Sequence, residues 1–179
     1  MSDVRFTCFP RTKPPPDFVE SIVAVFRKHE PTISTQNLLK GLESDKVMRV
    51  LIDDLQSLGF QVEAGKAGSA KIGRPVFYGE NGKPSLRYEV DGYHQTWRCG
   101  LEIEAGRAIL GNAIFRDLFQ AMVMVDVDHL CLAVPNTYKY KNKQKAMRSK
   151  YYEKTVDVAD ALYGHSRVSL PFGLTVIGY

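Results

Sequence analysis

The spacing of apolar residues predicts two helices in the first third of the chain. The first opens at Asp17, whose spacing to Glu20 is that of a capping box, and ends before Pro31. The second begins near Ser44 and stops at Gly59. Its apolar face carries Val47, Val50, Leu51, Leu55 and Leu58. Both patterns are typical of helices that pack against a core.

A helical period returns after Asn112. Apolar residues recur there every three or four positions, namely Ile114, Phe115, Leu118, Phe119, Met122 and Val123. The residues between them, Arg116, Asp117 and Gln120, are predicted to face solvent. A last helix is predicted over residues 155–164, where a glycine would end it.

Short apolar or alternating runs predict the strands. They cover residues 4–9, 60–63, 75–78, 86–90, 97–105, 130–134 and 174–177. The strands between residues 75 and 105 are expected to be antiparallel, with 86–91 beside 97–105. Residues 130–134 are all apolar, as in a central strand covered on both faces, and should follow strand 97–105 through a right-handed parallel crossover. This order predicts an α/β fold in which helices cover a mixed β-sheet.

The composition is that of a globular protein. The 179 residues are 44% apolar, which suffices for one core of ordinary size. No apolar run approaches the ~18 residues that a membrane span requires, and the first residues lack the layout of a secretory signal. Cys8, Cys99 and Cys131 form no Cys-x-x-Cys motif, so neither a zinc site nor a disulfide framework is predicted. The expected compartment is the cytoplasm.

The net charge of +4 is unevenly distributed. Residues 138–154 hold seven cations against the single acid Glu153, a local net charge of +6, which leaves −2 for the rest of the chain. The cations are Lys139, Lys141, Lys143, Lys145, Arg148, Lys150 and Lys154. Four tyrosines interleave with them: Tyr138, Tyr140, Tyr151 and Tyr152. Basic and aromatic residues together favour contact with nucleic acid. The alternative is a solvated loop whose lysines only prevent edge-strand aggregation.

Three acidic residues around position 100 have a spacing that suits a divalent cation. Glu102 and Glu104 lie two apart in a strand, so they point to the same side, ~6.6 Å apart along the chain. Pairing with strand 86–91 would bring Asp91 beside them, and carboxylates so placed repel one another unless a cation lies between them. Mg²⁺ or Mn²⁺ suits such oxygen ligands. The alternatives are an edge strand with glutamates facing solvent and, for Asp91, a turn residue before Gly92.

This segment resembles the PD-(D/E)XK nuclease superfamily, particularly its type II restriction endonucleases. In that family an Asp opens a hairpin strand, and an acid-x-Lys triplet on the next strand precedes a helix and a buried strand. Val90-Asp91 and Glu102-Ile103-Glu104 match these elements, within residues 75–134. Glu104 stands where the family has lysine, although some of its restriction enzymes carry a glutamate there and still cut DNA.

The resemblance implies a restriction-endonuclease-like core in the order αβββαβ and a metal-dependent endonuclease acting on double-stranded DNA, expected as a homodimer. Asp91 and Glu102 would bind Mg²⁺ or Mn²⁺, and Glu104 would orient or deprotonate a water or bind a second ion. Residues 1–16 would be an extended arm and 17–179 one nuclease-like domain. That domain divides into a helical part, a catalytic core, and a basic segment with a helix and strand, over residues 17–59, 60–135 and 136–179.

Further site residues are predicted outside the acidic trio. Nucleic-acid contacts are predicted for Arg107, Lys139, Lys141, Lys143 and Lys145. Glu20 is a minor candidate, because some members of the superfamily use an acid from an early helix, although a capping role explains it equally well.

Two other functions stay open from the sequence. Residues 17–79 also fit a winged-helix DNA-binding protein, with a short helix over 36–42, a glycine-rich wing over 65–73 and helix 45–58 in the major groove. The exposed face of that helix offers Lys46, Arg49, Asp53 and Asp54, which is not strongly basic. The other possibility is an inactive subunit that keeps the nuclease fold, because Glu104 replaces the family's lysine.

Overall fold

A computed structural model of the chain describes residues 2–36, 38, 40–63, 71–106, 108–109, 111–142 and 145–179, and for residues 141, 142, 145 and 146 it describes the backbone. The helices are α1 (Phe18–Ile33), α2 (Ser44–Ser57), α3 (Ala113–Val123) and α4 (Tyr151–Gly164). The strands are β1 (Arg5–Phe9), β2 (Phe60–Val62), β3 (Ile72–Tyr78), β4 (Pro84–Val90), β5 (Gly92–His94), β6 (Cys99–Ile103), β7 (His129–Val134), β8 (Thr137–Asn142), β9 (Lys145–Lys150) and β10 (Gly173–Gly178).

Six of these strands form one mixed sheet in the order β1-β10-β7-β6-β5-β2. The central strands β6, β7 and β10 are parallel, and the flanking strands join antiparallel. Every residue of β7 is buried, as its apolar run predicts. The parallel pairing of β6 with β7 is also as predicted. Two further pairs, β3–β4 and β8–β9, form separate two-stranded ribbons.

Helices cover the two faces of the sheet. On one face α1 and α2 pack over Leu101, Ile103 and Ala133. On the other face α3 and α4 pack over Leu130 and Leu132. Because side chains alternate along a strand, Glu102 lies on the α3 side while its neighbours Leu101 and Ile103 point to the α1 side.

The early helices differ in part from the prediction. α1 continues through Pro31 to Ile33, and Asp17 makes no capping hydrogen bond with its side chain. The carboxylate of Glu20 pairs instead with Arg27 at 2.9 Å. The described residues between 36 and 42 form no helix, whereas α2 begins and ends close to where its apolar pattern predicts.

The predicted helix at residues 155–164 begins earlier, at Tyr151. Thr155 does not cap it: the buried Thr155 hydroxyl donates a hydrogen bond of 2.9 Å to the carbonyl of Tyr151 one turn back.

The pairing predicted between strand 86–91 and strand 97–105 is wrong. β4 pairs with β3 in a ribbon, and the chain enters the main sheet only at β5, which pairs with β6. Asp91 is the single residue between β4 and β5. A Cβ at Gly92 would meet Leu101 Cβ at 3.4 Å and the Gln61 carbonyl oxygen at 3.5 Å, so a glycine suits this close passage between β2 and β6.

The outward orientation predicted for Asp117 is also wrong. The buried face of α3 consists of Ile114, Asp117, Leu118 and Ala121, at the helical spacing i, i+3, i+4 and i+7. Phe115 and Phe119, predicted as core residues, are 45% and 55% exposed. The buried stripe is thus rotated from the predicted one, and the side of α3 towards the sheet includes a polar position, Asp117.

Two cysteines lie in the core of the protein. Cys99 and Cys131 are buried and free, as small core residues. Within the described ranges, no helix has both the length and the apolar character needed to cross a bilayer.

Candidate functional site

The acidic residues meet at the edge where the parallel strands end. Glu102 is the second-last residue of β6, and Glu104 follows the strand. The N–H of Glu104 donates a hydrogen bond of 2.9 Å to the carbonyl of Ala133, near the end of β7. Gly92 pairs with Leu101, which places Asp91 opposite Glu102 on the neighbouring strand. A strand that leaves a ribbon and enters a sheet therefore delivers Asp91 to the acid-x-acid segment.

Glu102 is a buried carboxyl in an internal strand. It is 6% exposed, and β6 has a paired strand on each side. The interpretation of Glu102 as the solvent face of an edge strand is therefore wrong. Burial raises the pKa of Glu102 well above its usual range, and the nearby carboxylates Asp91 and Asp117 raise it further.

Asp91 is more than a turn residue. Its Oδ2 accepts a hydrogen bond of 2.8 Å from the N–H of Ile103, the residue between Glu102 and Glu104. Burial raises the pKa of Asp91 to about 6, despite the opposing effect of this hydrogen bond. Glu63, whose N–H donates to the Asp91 carbonyl at 2.8 Å, adds negative charge and contributes to the increase.

Glu104 faces α3 rather than open solvent. Its side chain is 16% exposed, and its Oε1 accepts a hydrogen bond of 3.1 Å from Arg116 Nη2. Burial raises the pKa of Glu104 to about 7, chiefly with help from the charge of Asp117, while Arg116 opposes the increase. The next residue, Ala105, donates 3.1 Å from its N–H to Ser44 Oγ at the start of α2, which anchors this segment from the other side.

Asp117 is a fourth carboxyl of the site, which the sequence analysis missed. Its Oδ1 accepts from Arg116 Nε at 2.9 Å, and Arg116 Nη2 lies 2.8 Å from the same atom. Oδ2 is buried, and no donor in the described part of the chain reaches it. Burial raises the pKa of Asp117, and its carboxyl is close enough to Glu104 for a hydrogen bond when one of the two is protonated.

One signal in the sequence could have revealed Asp117. It occupies the i+3 position between Ile114 and Leu118, where an amphipathic helix facing a core normally has an apolar residue. A charged residue in a buried stripe needs a partner, and this is a reason to look for a site.

A cleft of about 370 Å³ opens beside two of the four carboxyls, Asp91 and Glu102. Asp91, Glu102 and Arg116 line it, together with an ion pair in which Lys71 Nζ lies 2.6 Å from Glu63 Oε1. A larger cavity of about 440 Å³ lies at the opposite end of the sheet, around His129. We favour the smaller cleft as the site, because the acid lining the larger cavity, Asp128, is already held by Arg98 at 2.5 Å.

The donor set fits a divalent cation of the magnesium type. Carboxylate oxygens are the ligands that Mg²⁺ prefers, and it commonly takes one or two of them together with waters and phosphate. The buried Oδ2 of Asp117 has no donor, and the charges of these carboxyls disfavour one another's ionisation. A bound cation would give the unpaired oxygen a partner and would offset the repulsion between the carboxylates. Across the described residues, no three His, Cys, Asp or Glu side chains already stand in a metal-ligating arrangement, so the fit is to two carboxylates rather than to a closed cage.

The predicted basic segment emerges at the same edge of the sheet. It forms the β8–β9 ribbon directly after β7, and Lys139 Nζ donates 2.7 Å to the carbonyl of Leu38. Arg148 is exposed on β9. Lys143 and Arg107 lie outside the described residues, as do the side chains of Lys141 and Lys145.

The tyrosines of this segment have structural roles. Tyr138 stacks on Tyr140 with ring centroids 5.5 Å apart and on Tyr151 at 4.8 Å. Tyr151 and Tyr152 are buried. Of the four tyrosines that interleave with the cations along the chain, these two are therefore not available to nucleic acid, because α4 begins at Tyr151 and turns both rings into the core.

Two other predictions concern α1 and α2. Glu20 is exposed on α1, where it pairs with Arg27. Burial chiefly raises the pKa of the Cys8 thiol on β1, and Glu20 is close enough to contribute to the increase. In the sheet, β7 and β10 lie between β1 and β6, the strand that carries Glu102. Glu20 is thus not brought to the acidic site. For the winged-helix alternative, β2 pairs with β5 and β3 with β4, so β2 and β3 do not form the expected wing.

Comparisons with known proteins bear on the family and the fold of the chain. A family model described as "Putative halobacteria restriction endonuclease" matches residues 11–179. No curated protein gives a significant match. The chain is similar to the crystal structure of restriction endonuclease BglII in complex with a DNA 16-mer, with a TM-score of 0.55 and 11% identity, over 98% of this chain and 75% of that chain. At this identity the similarity shows a shared fold.

Proposed function

The chain belongs to the halobacterial restriction endonuclease family, and on that premise we propose that it is a metal-dependent endonuclease that hydrolyses phosphodiester bonds of double-stranded DNA. The family match and the fold confirm the resemblance to restriction endonucleases and the α/β class predicted from the sequence. One observation carries the proposal. Asp91, just before β5, lies opposite the buried Glu102 on β6 beside a cleft, and the charges of the two carboxyls disfavour each other's ionisation.

Each acidic residue has a role in this proposal. Asp91 and Glu102 bind Mg²⁺ or Mn²⁺, and the Ile103 N–H fixes the Asp91 carboxylate for that task. When bound, the cation neutralises charge at the phosphate and lowers the pKa of an attacking water. Glu104, with a pKa of about 7, orients that water and accepts its proton. The water oxygen forms a bond to phosphorus, one P–O ester bond breaks, and the leaving oxygen takes a proton from solvent.

The position of the basic ribbon supports a DNA substrate. β8 and β9 follow β7 at the edge where the carboxyls lie, so the basic ribbon begins at the same edge of the sheet as the acidic site. Phosphate contacts from lysine and arginine position a duplex without reading its sequence. We assign this role to Lys139 and Arg148 among the described side chains, and to Lys141, Lys143, Lys145 and Arg107 from the sequence.

We also propose that the protein acts as a homodimer in the cytoplasm. Phe115 and Phe119 lie one turn apart on the outer face of α3, the helix that carries Asp117, and both are largely exposed. Exposed aromatic pairs of this kind suit a two-fold interface between copies, and two-fold symmetry matches a palindromic site. The free thiols agree with a reducing compartment.

The experiment is cleavage of plasmid DNA with Mg²⁺ or Mn²⁺ by the wild type, by Glu102→Gln and by Glu20→Gln. The wild type should nick or linearise plasmid, Glu102→Gln should lose at least ~10²-fold in rate, and Glu20→Gln should match the wild type because Glu20 lies apart from the cleft. Equal activity of wild type and Glu102→Gln would refute the assignment.

A duplex-binding titration beside the cleavage assay separates an enzyme from an inactive subunit. Duplex binding by the wild type without cleavage, under either metal, would favour a nuclease fold that has lost its activity. Metal-independent binding that is abolished by changes in α2 but not in the β8–β9 ribbon would favour a non-catalytic DNA-binding protein.

A further inference from the structure

Arg116 is the cation nearest to the acidic site. It extends from α3 into the cleft, and its side chain is 59% exposed. Nε and Nη2 contact Asp117 Oδ1, and Nη2 also contacts Glu104 Oε1 at 3.1 Å. Two other cations line the cleft: Lys71, which is already held by Glu63 at 2.6 Å and Glu89 at 3.7 Å, and Arg87, which lies exposed on the β4 ribbon strand.

The guanidinium is only partly used by these contacts. A guanidinium has five N–H donors in a fixed plane, and Nη1, with two of them, has no protein partner in the part of the chain that the structure describes. Its exposure leaves these donors available to a group entering the cleft. Nη1 can therefore donate a charge-assisted hydrogen bond to a phosphate oxygen.

Asp117 fixes the direction of this guanidinium. It holds the inner N–H edge at 2.8 to 2.9 Å while its own side chain is 1% exposed. An arginine held from its inner edge by a buried carboxylate has less freedom to lose when it meets a ligand. The adjacent positions 116 and 117 thus supply a charge and the group that holds it.

Charge in the site also requires such a group. Four carboxyls line one small region, and a substrate phosphate adds a further negative charge to it. Glu104, which follows β6, adds a carboxylate rather than a cation, and Arg116 directly contacts it. A cation delivered from α3 would supply what β6 does not.

From these contacts we propose, on the basis of the function proposed above, that Arg116 is a catalytic residue that hydrogen-bonds the scissile phosphate and that Asp117 is its positioning residue. Arg116 transfers no proton, since its guanidinium remains protonated throughout. It stabilises the negative charge that builds on the phosphate oxygens as the water bond forms and the ester bond breaks.

The competing interpretation is that Arg116 is only a counter-ion that keeps Glu104 and Asp117 in place. The two interpretations differ in sign for metal binding by the DNA-free protein. If the carboxyls are held by the strands, removing a nearby positive charge makes the cleft more negative, and a divalent cation binds more tightly. If Arg116 holds them, its removal disorders the ligands, and the cation binds more weakly.

The test uses Arg116→Ala and Arg116→Lys, with Arg11→Ala as matched control. Arg11 is also an exposed arginine that holds a helix aspartate, Asp160, with contacts of 2.6 Å, but it follows β1 at the opposite end of the sheet. Mn²⁺ affinity is measured by titration without DNA, duplex affinity with Ca²⁺, and cleavage in single turnover with Mg²⁺.

For Arg116→Ala we expect Mn²⁺ affinity to increase roughly fivefold and single-turnover cleavage to fall ~10²–10³-fold, with duplex affinity within about threefold. Methylguanidinium should restore part of the cleavage by Arg116→Ala and leave Arg11→Ala unchanged. Arg116→Lys keeps the charge but lacks the planar fork, so it should keep Mn²⁺ affinity and lose about tenfold in cleavage. It also serves as the second variant if the alanine protein does not fold.

Weaker Mn²⁺ binding by Arg116→Ala, or cleavage equal to that of the wild type, would overturn the role of Arg116 while leaving the nuclease assignment intact. Failure of the wild type itself to cleave with either metal would overturn the proposed function, and the catalytic role of Arg116 with it. Asp117→Asn separates positioning from chemistry. It should slow cleavage while leaving the KM for duplex unchanged, and methylguanidinium should not rescue it because Arg116 is still present.

Discussion

Replacing Asp91 by asparagine should stabilise the metal-free protein at alkaline pH. Asp91 is largely buried among carboxyls, and burial raises its pKa to about 6 from an ordinary value of 3.8. Keeping it ionised above pH 6 therefore opposes folding. An asparagine carbonyl can still accept the hydrogen bond of 2.8 Å from the Ile103 N–H, so the substitution removes the charge and keeps the contact.

The magnitude follows from the difference in pKa. About two pKa units at 1.36 kcal/mol each correspond to about 3 kcal/mol at pH 8. The sign is that of an acid with a raised folded pKa: its favourable contribution is fully present below the unfolded value and is lost as the pH rises through about 6. The advantage of Asp91→Asn should therefore shrink to about 1 kcal/mol at pH 4.5.

Urea denaturation in the presence of EDTA at pH 4.5 and pH 8 measures this difference. At pH 8 the variant should also melt roughly 6–12 °C higher than the wild type. Asp128→Asn is the control, because Asp128 is an exposed partner of Arg98 and its pairing contributes only about 0–1 kcal/mol. A variant less stable than the wild type at pH 8, or an advantage independent of pH, would refute the account of Asp91 as a strained buried charge.

Three further predictions concern the metal, the DNA and the far end of the sheet. Mg²⁺ should raise the melting temperature of the wild type more at pH 8 than at pH 5.5, because its ligands must lose their protons to bind it: the pKa of Asp91 is about 6, and burial raises the pKa of Glu102 well above its usual range. An equal shift at both pH values in thermal melts would contradict the site. The double variant Lys139→Ala/Arg148→Ala should reduce the slope of log affinity against log salt by about 2 in duplex-binding titrations, since each phosphate contact contributes about 0.9, and an unchanged slope would remove the β8–β9 ribbon from the interface. Gly173→Ala should lower the free energy of unfolding in urea by about 1–3 kcal/mol, because its Cβ would lie 2.6 Å from His129 Nδ1. Cleavage by the folded fraction should be unaffected. An unchanged free energy of unfolding would mean that the His129 ring can move aside.

The elements could be predicted from the sequence where their pattern is local. The apolar face of α2, the continuous run in β7 and the alternation around Glu102 each depend on neighbours a few residues away, and each element occurs near its predicted place. The exit of β4 into a separate ribbon was missed, because strand pairing is decided between segments far apart in the chain. The extension of α1 through Pro31 was missed for a related reason: the burial of Ile33 outweighs a local helix-breaking tendency.

What the sequence alone determined is that Glu102 and Glu104 stand two residues apart at the end of an apolar strand, that Asp91 and a glycine precede that strand by a few residues, and that a strongly basic segment follows β7. These facts depend on spacing and composition. Only the tertiary structure decided that Glu102 is buried, that the stripe of α3 is rotated to put Asp117 beside Glu104, and that Arg116 reaches into the same cleft. Burial and mutual proximity are properties of packed elements, and so the acidity of each carboxyl depends on neighbours that its own segment does not contain.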